Sequence, residues 1–387
     1  MKKIKFMLVA MMAMMVAAGF TACSDDDDPV SNVQRYQNEV EQTVRQNKKH
    51  DKVILLVAFG STWQQAYDAF DLTRSEYVTR FRDYDVFLSF SSAICINRAA
   101  AGENTTKRNF YEPKYWLEAF GRVQYKEIIV QSMQVIPGEE FSRVVNAMKD
   151  FGNNVNGDLD DKYMKKFEFD EEGNPGENTL KLGMPLMYTE VDAATLAGAI
   201  NKNFNAYAEK GAMLFMGHGN PDSYDTYKAN IRYTQLETAL KAYSKNYFVG
   251  TVDMKDNFKV QVADRMMEAG IMSGKVFCAP LMSIAGDHAH NDMAGDDDDN
   301  WTKEIGFEVN EEGEVEDTSW KYYFYHLGYS VGLAQNDDAD VKAAYTDEGE
   351  GALVKGLLEY RDIRNIYMNH TATAEVVDYY HSMYPEE

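Results

Sequence analysis

Val53-Ile54-Leu55-Leu56-Val57-Ala58-Phe59 runs without a polar residue into Gly60-Ser61-Thr62. An apolar run this short, with no alternation, fits a strand buried on both faces, as in a parallel sheet covered by helices. The glycine and hydroxyl residues after it suit a turn into a helix N-terminus. The pattern recurs at Val86-Phe87-Leu88-Ser89-Phe90, at Glu127-Ile128-Ile129-Val130-Gln131-Ser132 and at Leu182-Gly183-Met184-Pro185-Leu186-Met187. A polar, aromatic helical stretch lies around Tyr111 to Gly121, and a helix is expected from Ala193 to Lys210. Strand and helix alternate at the connection lengths of right-handed crossovers.

The second half repeats the first. Ala212-Met213-Leu214-Phe215-Met216, Tyr247-Phe248-Val249-Gly250-Thr251-Val252 and Lys275-Val276-Phe277-Cys278-Ala279-Pro280-Leu281-Met282 each read as a strand opening into a polar, glycine-bearing loop. The expected fold is α/β, with two lobes, each a parallel sheet flanked by helices, and the ligand crevice at the loop-bearing sheet edges. The N-terminal lobe is expected at 51–195 and the C-terminal lobe at 196–387. Residues 152–178, rich in Asn, Asp, Gly and Glu, read as a surface insertion, potentially a hairpin. The acidic segments at 306–318 and 336–351 read as peripheral, and Ile363 to Met368 as a last strand leading to His370.

Residues 1–22 begin with Lys2, Lys3 and Lys5 and continue through an apolar run to Thr21-Ala22-Cys23, which reads as a signal peptide rather than fold. The cysteine placement resembles a bacterial lipoprotein signal, with Cys23 as the lipidated residue. Asp25-Asp26-Asp27-Asp28 follows it, resembling the acidic export signal of surface lipoproteins and equally readable as a solvated tether; residues 23–50 are then an acidic tether and lead-in helix. The expected location is extracytoplasmic, in the periplasm or on the outer-membrane surface, with the membrane touched only through that anchor. Without the leader's three lysines the formal charge moves from -23 to about -26. Such a chain repels nucleic acid and attracts cations. Cys95 and Cys278 sit in apolar contexts and read as buried thiols, although an exported chain could bridge them.

Ala285-Gly286-Asp287-His288-Ala289-His290-Asn291-Asp292 packs His, Asp, Asn and Gly directly behind an apolar strand of the second half. Alternate histidines on a strand would share a face and could bind metal, but a loop does not assure that geometry. His288 reads as loop-organising or substrate-adjacent, and His290 as incidental. The Asp296 to Asp299 run lacks the Gly and spaced Glu of a calcium loop. No thiolate zinc pattern, phosphate loop or Gly-x-Ser-x-Gly elbow is present, so no nucleotide cofactor is expected.

Read in order, the motifs resemble the anaerobic sirohydrochlorin cobaltochelatases of the CbiK type, of the class II chelatase fold shared with ferrochelatase. The resemblance is carried by Val57-Ala58-Phe59-Gly60-Ser61, Tyr84-Asp85-Val86-Phe87, Val130-Gln131-Ser132-Met133, Ile136-Pro137-Gly138-Glu139-Glu140, Pro185-Leu186, Met216-Gly217-His218-Gly219, Gly250-Thr251-Val252, the 279–301 segment through Trp301, and the tail to His370. It implies insertion of Co2+, or Fe2+, into a tetrapyrrole bound between the lobes, as in anaerobic cobalamin-type biosynthesis.

By that resemblance His218 is the principal metal ligand and proton acceptor. Glu190, ahead of Asp192, falls at a metal-ligand position, with the start of a helix as its plainer reading. Gly60, Ser61, Asp253, His288 and Asp292 are implied in the substrate cleft. The chain departs where the family's Gln-Ser-Leu-His-Ile carries a second ligand and base, because it reads Gln131-Ser132-Met133-Gln134-Val135. An amide takes no proton at neutral pH and is a poor ligand for a late transition metal. The alternative is therefore an extracytoplasmic lipoprotein that binds a tetrapyrrole, haem or metal, or removes the metal, without inserting it. A homo-oligomer is left open.

Overall fold

A computed structural model describes residues 32–102, 106–295, 318–334 and 355–377. The leader with Cys23 and Asp25 to Asp28, the Asp296 to Asp299 run, Trp301, most of 306–318 and all of 336–351 lie outside the described residues. From Tyr36 onward the chain forms one compact unit.

The described strands are β1 (Lys52–Ala58), β2 (Asp85–Phe90), β3 (Glu127–Ser132), β4 (Thr179–Gly183), β5 (Ala212–Gly217), β6 (Tyr247–Thr251), β7 (Lys275–Pro280), β8 (Ser330–Leu333) and β9 (Glu375–Val376). They form two sheets, in the orders β2-β1-β3-β4-β9 and β6-β5-β7-β8. All pairings are parallel except β9 against β4, where Lys181 faces Val376. The fold is thus α/β, with two parallel sheets flanked by helices.

The unalternated strands are buried on both faces. Ile54, Leu56 and Ala58 of β1 join a core that also holds Met213 and Phe215 of β5. Val53, Leu55 and Val57 point into a separate core on the other face. Leu214, Met216, Phe248 and Val276 form a third behind the second sheet. Helices cover these faces: α1 (Asn32–Asn47), α2 (Gln64–Arg80), α3 (Ala93–Ala101), α4 (Pro113–Arg122), α5 (Glu139–Gly152), α6 (Asp161–Met164), α7 (Glu190–Ala208), α8 (Ile231–Lys241), α9 (Lys259–Glu268), α10 (Trp320–His326) and α11 (Arg361–Ala372). In α5, Phe141, Val144, Val145, Met148 and Phe151 repeat at helical spacing and bury one stripe. Leu196, Ile200 and Phe204 of α7 are buried in the core that both sheets share.

Three expectations change. Ile363 to Met368 belongs to α11, and its buried Ile363, Ile366, Tyr367 and Thr371 follow the 3.6-residue period of a helix. Residues 152–178 do not form a hairpin. They contain α6 and a short 3-10 turn, which send Leu159, Tyr163 and Phe167 into the core behind the first sheet. The strand read as 182–187 ends at Gly183, just before Pro185, which has no N–H to give a ladder.

In both sheets the order reverses beside the first strand, between β1 and β3 and between β5 and β7. These are the switch points where α/β sheets open a crevice at the carboxyl ends of their strands.

Helix α11 is fastened by a buried ion pair. Arg364, 5% exposed, donates from Nε and Nη2 to the two oxygens of Glu76 on α2 at 2.8 and 2.7 Å, and from Nη1 to the Leu358 carbonyl at 2.7 Å. These bonds from Arg364 hold the Glu76 carboxyl below the usual carboxylate range, against the opposing pull of burial. A depressed carboxyl pKa stabilises the fold above the unfolded value, and that contribution is lost as pH falls through the folded value. Glu76→Ala leaves the buried guanidinium without a counter-charge and is expected to cost about 3 kcal/mol in urea unfolding. It is also expected to flatten the acid limb of stability against pH, and an unchanged midpoint and limb would remove this pair from the account.

Candidate functional site

A cavity of about 540 Å³ opens where the strand-end loops of the two sheets meet. The first sheet contributes Gly60, Ser61 and Thr62 after β1, then Met133 to Ile136 and Gly138 to Glu140 after β3. The second contributes His218 to Pro221 after β5, Asp253 after β6, and Leu281 to Ile284 with Gly286 to His288 after β7. The size suits a small-molecule ligand.

Glycine permits the close turns here. Gly60 has φ +120°, and a Cβ on it would come within 2.8 Å of both Cys95 and Phe90. Gly219 has φ +79°, and a Cβ there would sit 2.8 Å from Met254. Both positions combine left-handed backbone with no room for a side chain. The loop carrying His218 is also pinned from outside. Val252 and Asp253 donate backbone N–H to the His218 carbonyl at 3.1 and 2.9 Å. Gly219 N–H donates to the Tyr233 hydroxyl at 3.2 Å, and the Asn230 side chain holds Asn220 through both its N–H and its C=O.

His218 Nδ1 lies 2.7 Å from the Gly219 carbonyl. A carbonyl only accepts, so Nδ1 carries the proton and the neutral ring keeps its lone pair on Nε2. Asp253 Oδ2 is 3.5 Å from the same Nδ1. The His288 ring stands edge-on to His218, with centroids 4.8 Å apart. His288 Nδ1 bonds the Asp292 carboxylate one turn on. That bond raises the His288 pKa, burial opposes it, and the charges of Asp292, Asp253 and Asp287 add to the rise.

The structure brings His218, Asp253, His288, Gly60, Ser61 and Gln134 to one cavity. Asp292 stands behind His288, outside the lining. Glu190 is not among the lining residues. It is the exposed first residue of α7, where Thr189 and Asp192 form a reciprocal capping box. Asp192 and the Met184 carbonyl also engage the two ring nitrogens of His370, at 3.3 and 3.1 Å, so that imidazole ties α11 to α7. His290 turns away from the cavity. The segment is a π-helical turn, Ala289–Ala294, and the buried His290 ring stacks on Trp63 at 3.7 Å and 5°. Trp63 Nε1 donates to Asp287 at 2.6 Å, which fixes the same loop.

Gln134 lines the cavity from the loop after β3 and is 5% exposed. Its Oε1 accepts the Ser132 hydroxyl, and its Nε2 finds no acceptor among the described residues. Cys95 and Cys278 are both free thiols, and burial pushes the Cys278 thiol up to about 12.

Lining residues given no site role by the sequence reading include Glu140 and Arg98. Burial raises the Glu140 pKa, partly offset by His218, Arg143 and His288. Its signal was the Glu139-Glu140 pair behind Gly138: adjacent residues diverge by about 100° around a helix, so one can face solvent while the other turns inward. Arg98, on α3, pairs loosely with Asp287 at 3.6 Å. Among the ionisable lining residues, Glu139, Glu140, Asp253 and Asp287 outnumber the single guanidinium, so the cavity favours a cation. No group of three or more His, Cys, Asp or Glu among the described residues forms a ready metal cage.

Residues 52–315 match the family model described as Cobalt chelatase (CbiK). A sirohydrochlorin cobaltochelatase of Salmonella typhimurium is 24% identical over 251 residues, covering 65% of this chain and 83% of that protein. The sirohydrochlorin cobaltochelatase CbiKC of Nitratidesulfovibrio vulgaris is 26% identical over 256 residues, covering 66% and 79%. Among solved structures, SirB from Bacillus subtilis with Fe3+ is 11% identical, covers 83% of this chain and 94% of its own, and gives a TM-score of 0.46. With a family match that spans most of its length, the chain belongs to the CbiK cobalt chelatases, enzymes of the lyase class.

Proposed function

We propose that this protein handles a tetrapyrrole and a divalent metal ion in the cavity between the two sheets, inserting Co2+, or Fe2+, into a sirohydrochlorin-like macrocycle. The observation that carries this reading is the His218 imidazole, whose Nδ1 proton is fixed on the Gly219 carbonyl and whose lone pair is left on Nε2. Insertion requires an ion to be held and pyrrole protons to be taken up. A neutral imidazole does the first and can contribute to the second near neutral pH, and the neighbouring Asp253 stabilises the charge that develops.

A second reading, tetrapyrrole or metal binding, or removal of metal from a haem-like ring, is favoured by two observations. Gln134 replaces a basic imidazole with an amide already engaged by Ser132. The excess of carboxylates in the lining opposes a polycarboxylate such as sirohydrochlorin more than it opposes a macrocycle with few acids.

We further infer that the chain is exported and anchored through lipid on Cys23, on the strength of the leader at 1–22. Among the described residues no helix is long and apolar enough to cross a membrane. Metabolic labelling with a radioactive fatty acid is expected to mark the wild-type chain and not Cys23→Ala; equal labelling of both would sink the anchor.

Purified protein mixed with sirohydrochlorin and Co2+ is expected to convert the macrocycle's absorbance faster than a metal-only blank. Tight tetrapyrrole binding with a rate no greater than the blank would instead select the second reading. Within that assay, His218→Ala is expected to bring the rate to the blank. Gln134→His is expected to raise it by about 10²-fold, the low end of what a positioned general base contributes. An unaltered rate in Gln134→His would show that the missing imidazole is not what limits turnover.

A further inference from the structure

His218 and His288 come from the loops after β5 and β7, adjacent strands of the second sheet, so both rings project from one wall of the cavity. Their centroids are 4.8 Å apart and their planes 81° from parallel. Two imidazoles bound side by side to one ion, each nitrogen about 2.0–2.1 Å from it, place their centroids roughly 4.5–5.2 Å apart. The observed spacing falls within that range.

The outer nitrogens are committed in the way metal-binding histidines require. His218 Nδ1–H donates to the Gly219 carbonyl, and His288 Nδ1–H to the Asp292 carboxylate. Such partners fix the tautomer and leave Nε2 as the ligating atom. Simple aromatic packing accounts less well for the pair, because packed rings are buried and these side chains are 43% and 47% exposed. The His288 loop is held from both sides, by Trp63 on Asp287 and by Trp63 stacked on His290.

We propose that His288 is the second metal ligand of this chain, pairing with His218 in place of the imidazole absent at Gln134, and that Asp292 is its positioning residue. The ion is then held by two nitrogens on one wall, with its other positions left to water and to the macrocycle's own nitrogens. Two protein ligands suit an ion that must be released, whereas a closed four-ligand site suits one that stays. This assignment deepens the function proposed above and rests on it.

The test uses Co2+ alone, with no tetrapyrrole, titrated into the full chain. Each imidazole bound through Nε2 leaves its Nδ1–H as a strongly shifted, exchangeable proton signal beside the paramagnetic ion. Two such signals are expected in the wild type and one in either His218→Ala or His288→Ala, with Co2+ affinity lowered at least about tenfold in each. Asp292→Asn is expected to keep both signals and to lose about tenfold in affinity, the usual cost of removing an outer partner. His288→Asn keeps the loop polar and serves in place of His288→Ala if that variant does not fold. A single shifted signal in the wild type, or wild-type Co2+ affinity without His288, overturns the assignment. Because no macrocycle is present, a protein that binds Co2+ through both rings but never inserts it retains the assignment and loses only the insertion reading. Normal insertion by His288→Ala sinks the assignment alone.

Discussion

Two backbone carbonyls, of Met133 and Gln134, fasten the end of β3 to the segments packed around it. Past the end of β3 these groups have left the ladder, and buried carbonyls require donors. The donors come from three other segments. Ser283, after β7, bonds the Met133 carbonyl, and the Tyr367 hydroxyl of α11 reaches both carbonyls at 3.1 Å. Leu186 N–H adds a bond to Gln134 at 3.0 Å, which gives the segment after Pro185 a role once its strand has stopped. Each bond is worth only about 0.5–1.5 kcal/mol net, but an unpaired carbonyl here would cost more than the bond gains. The bond from Ser283 ties the loop after β7 directly to the loop after β3, two parts of the cavity wall.

The same junction decides what faces what. Residues after β3 present Gln134, an amide, while residues after β5, β6 and β7 present His218, Asp253 and His288. The imidazoles of the lining are therefore both on the second sheet, and the first side supplies Gln134 together with Arg98, Glu139 and Glu140. With burial favouring its neutral form, Glu140 can hold a proton close to His218 without adding a full negative charge.

Much of the fold was legible in the sequence because parallel strands buried on both faces leave an unusually plain signature. The runs at 53–59, 127–132 and 212–216 coincide with β1, β3 and β5 to within a residue or so. The errors have physical causes. Ile363 to Met368 is less than two turns long, too short a window for the spacing of Ile363, Ile366, Tyr367 and Thr371 to stand out as helical. Residues 152–178 look polar on average, yet Tyr163 and Phe167 are enough to anchor them. Of the cavity, His218 and the difference between His288 and His290 were read through the family resemblance, whereas the cause of that difference was not legible, because it is a π-helical turn that leaves one ring at the cavity and stacks the other on Trp63. Glu140 was hidden by the ordinary preference for acids at a helix start.

Strand β9 has a further meaning. It is the last described element, yet it completes the edge of the first sheet by pairing Val376 with Lys181 and Glu375 with Leu182. The first sheet cannot close until nearly all of the chain is available, and the second sheet has been laid down in between. Contacts of such sequence separation are slow to form, because chain entropy is lost before they repay it. The β4 edge of the first sheet therefore stays unpaired until the chain through β5 to β8 and α11 has been made.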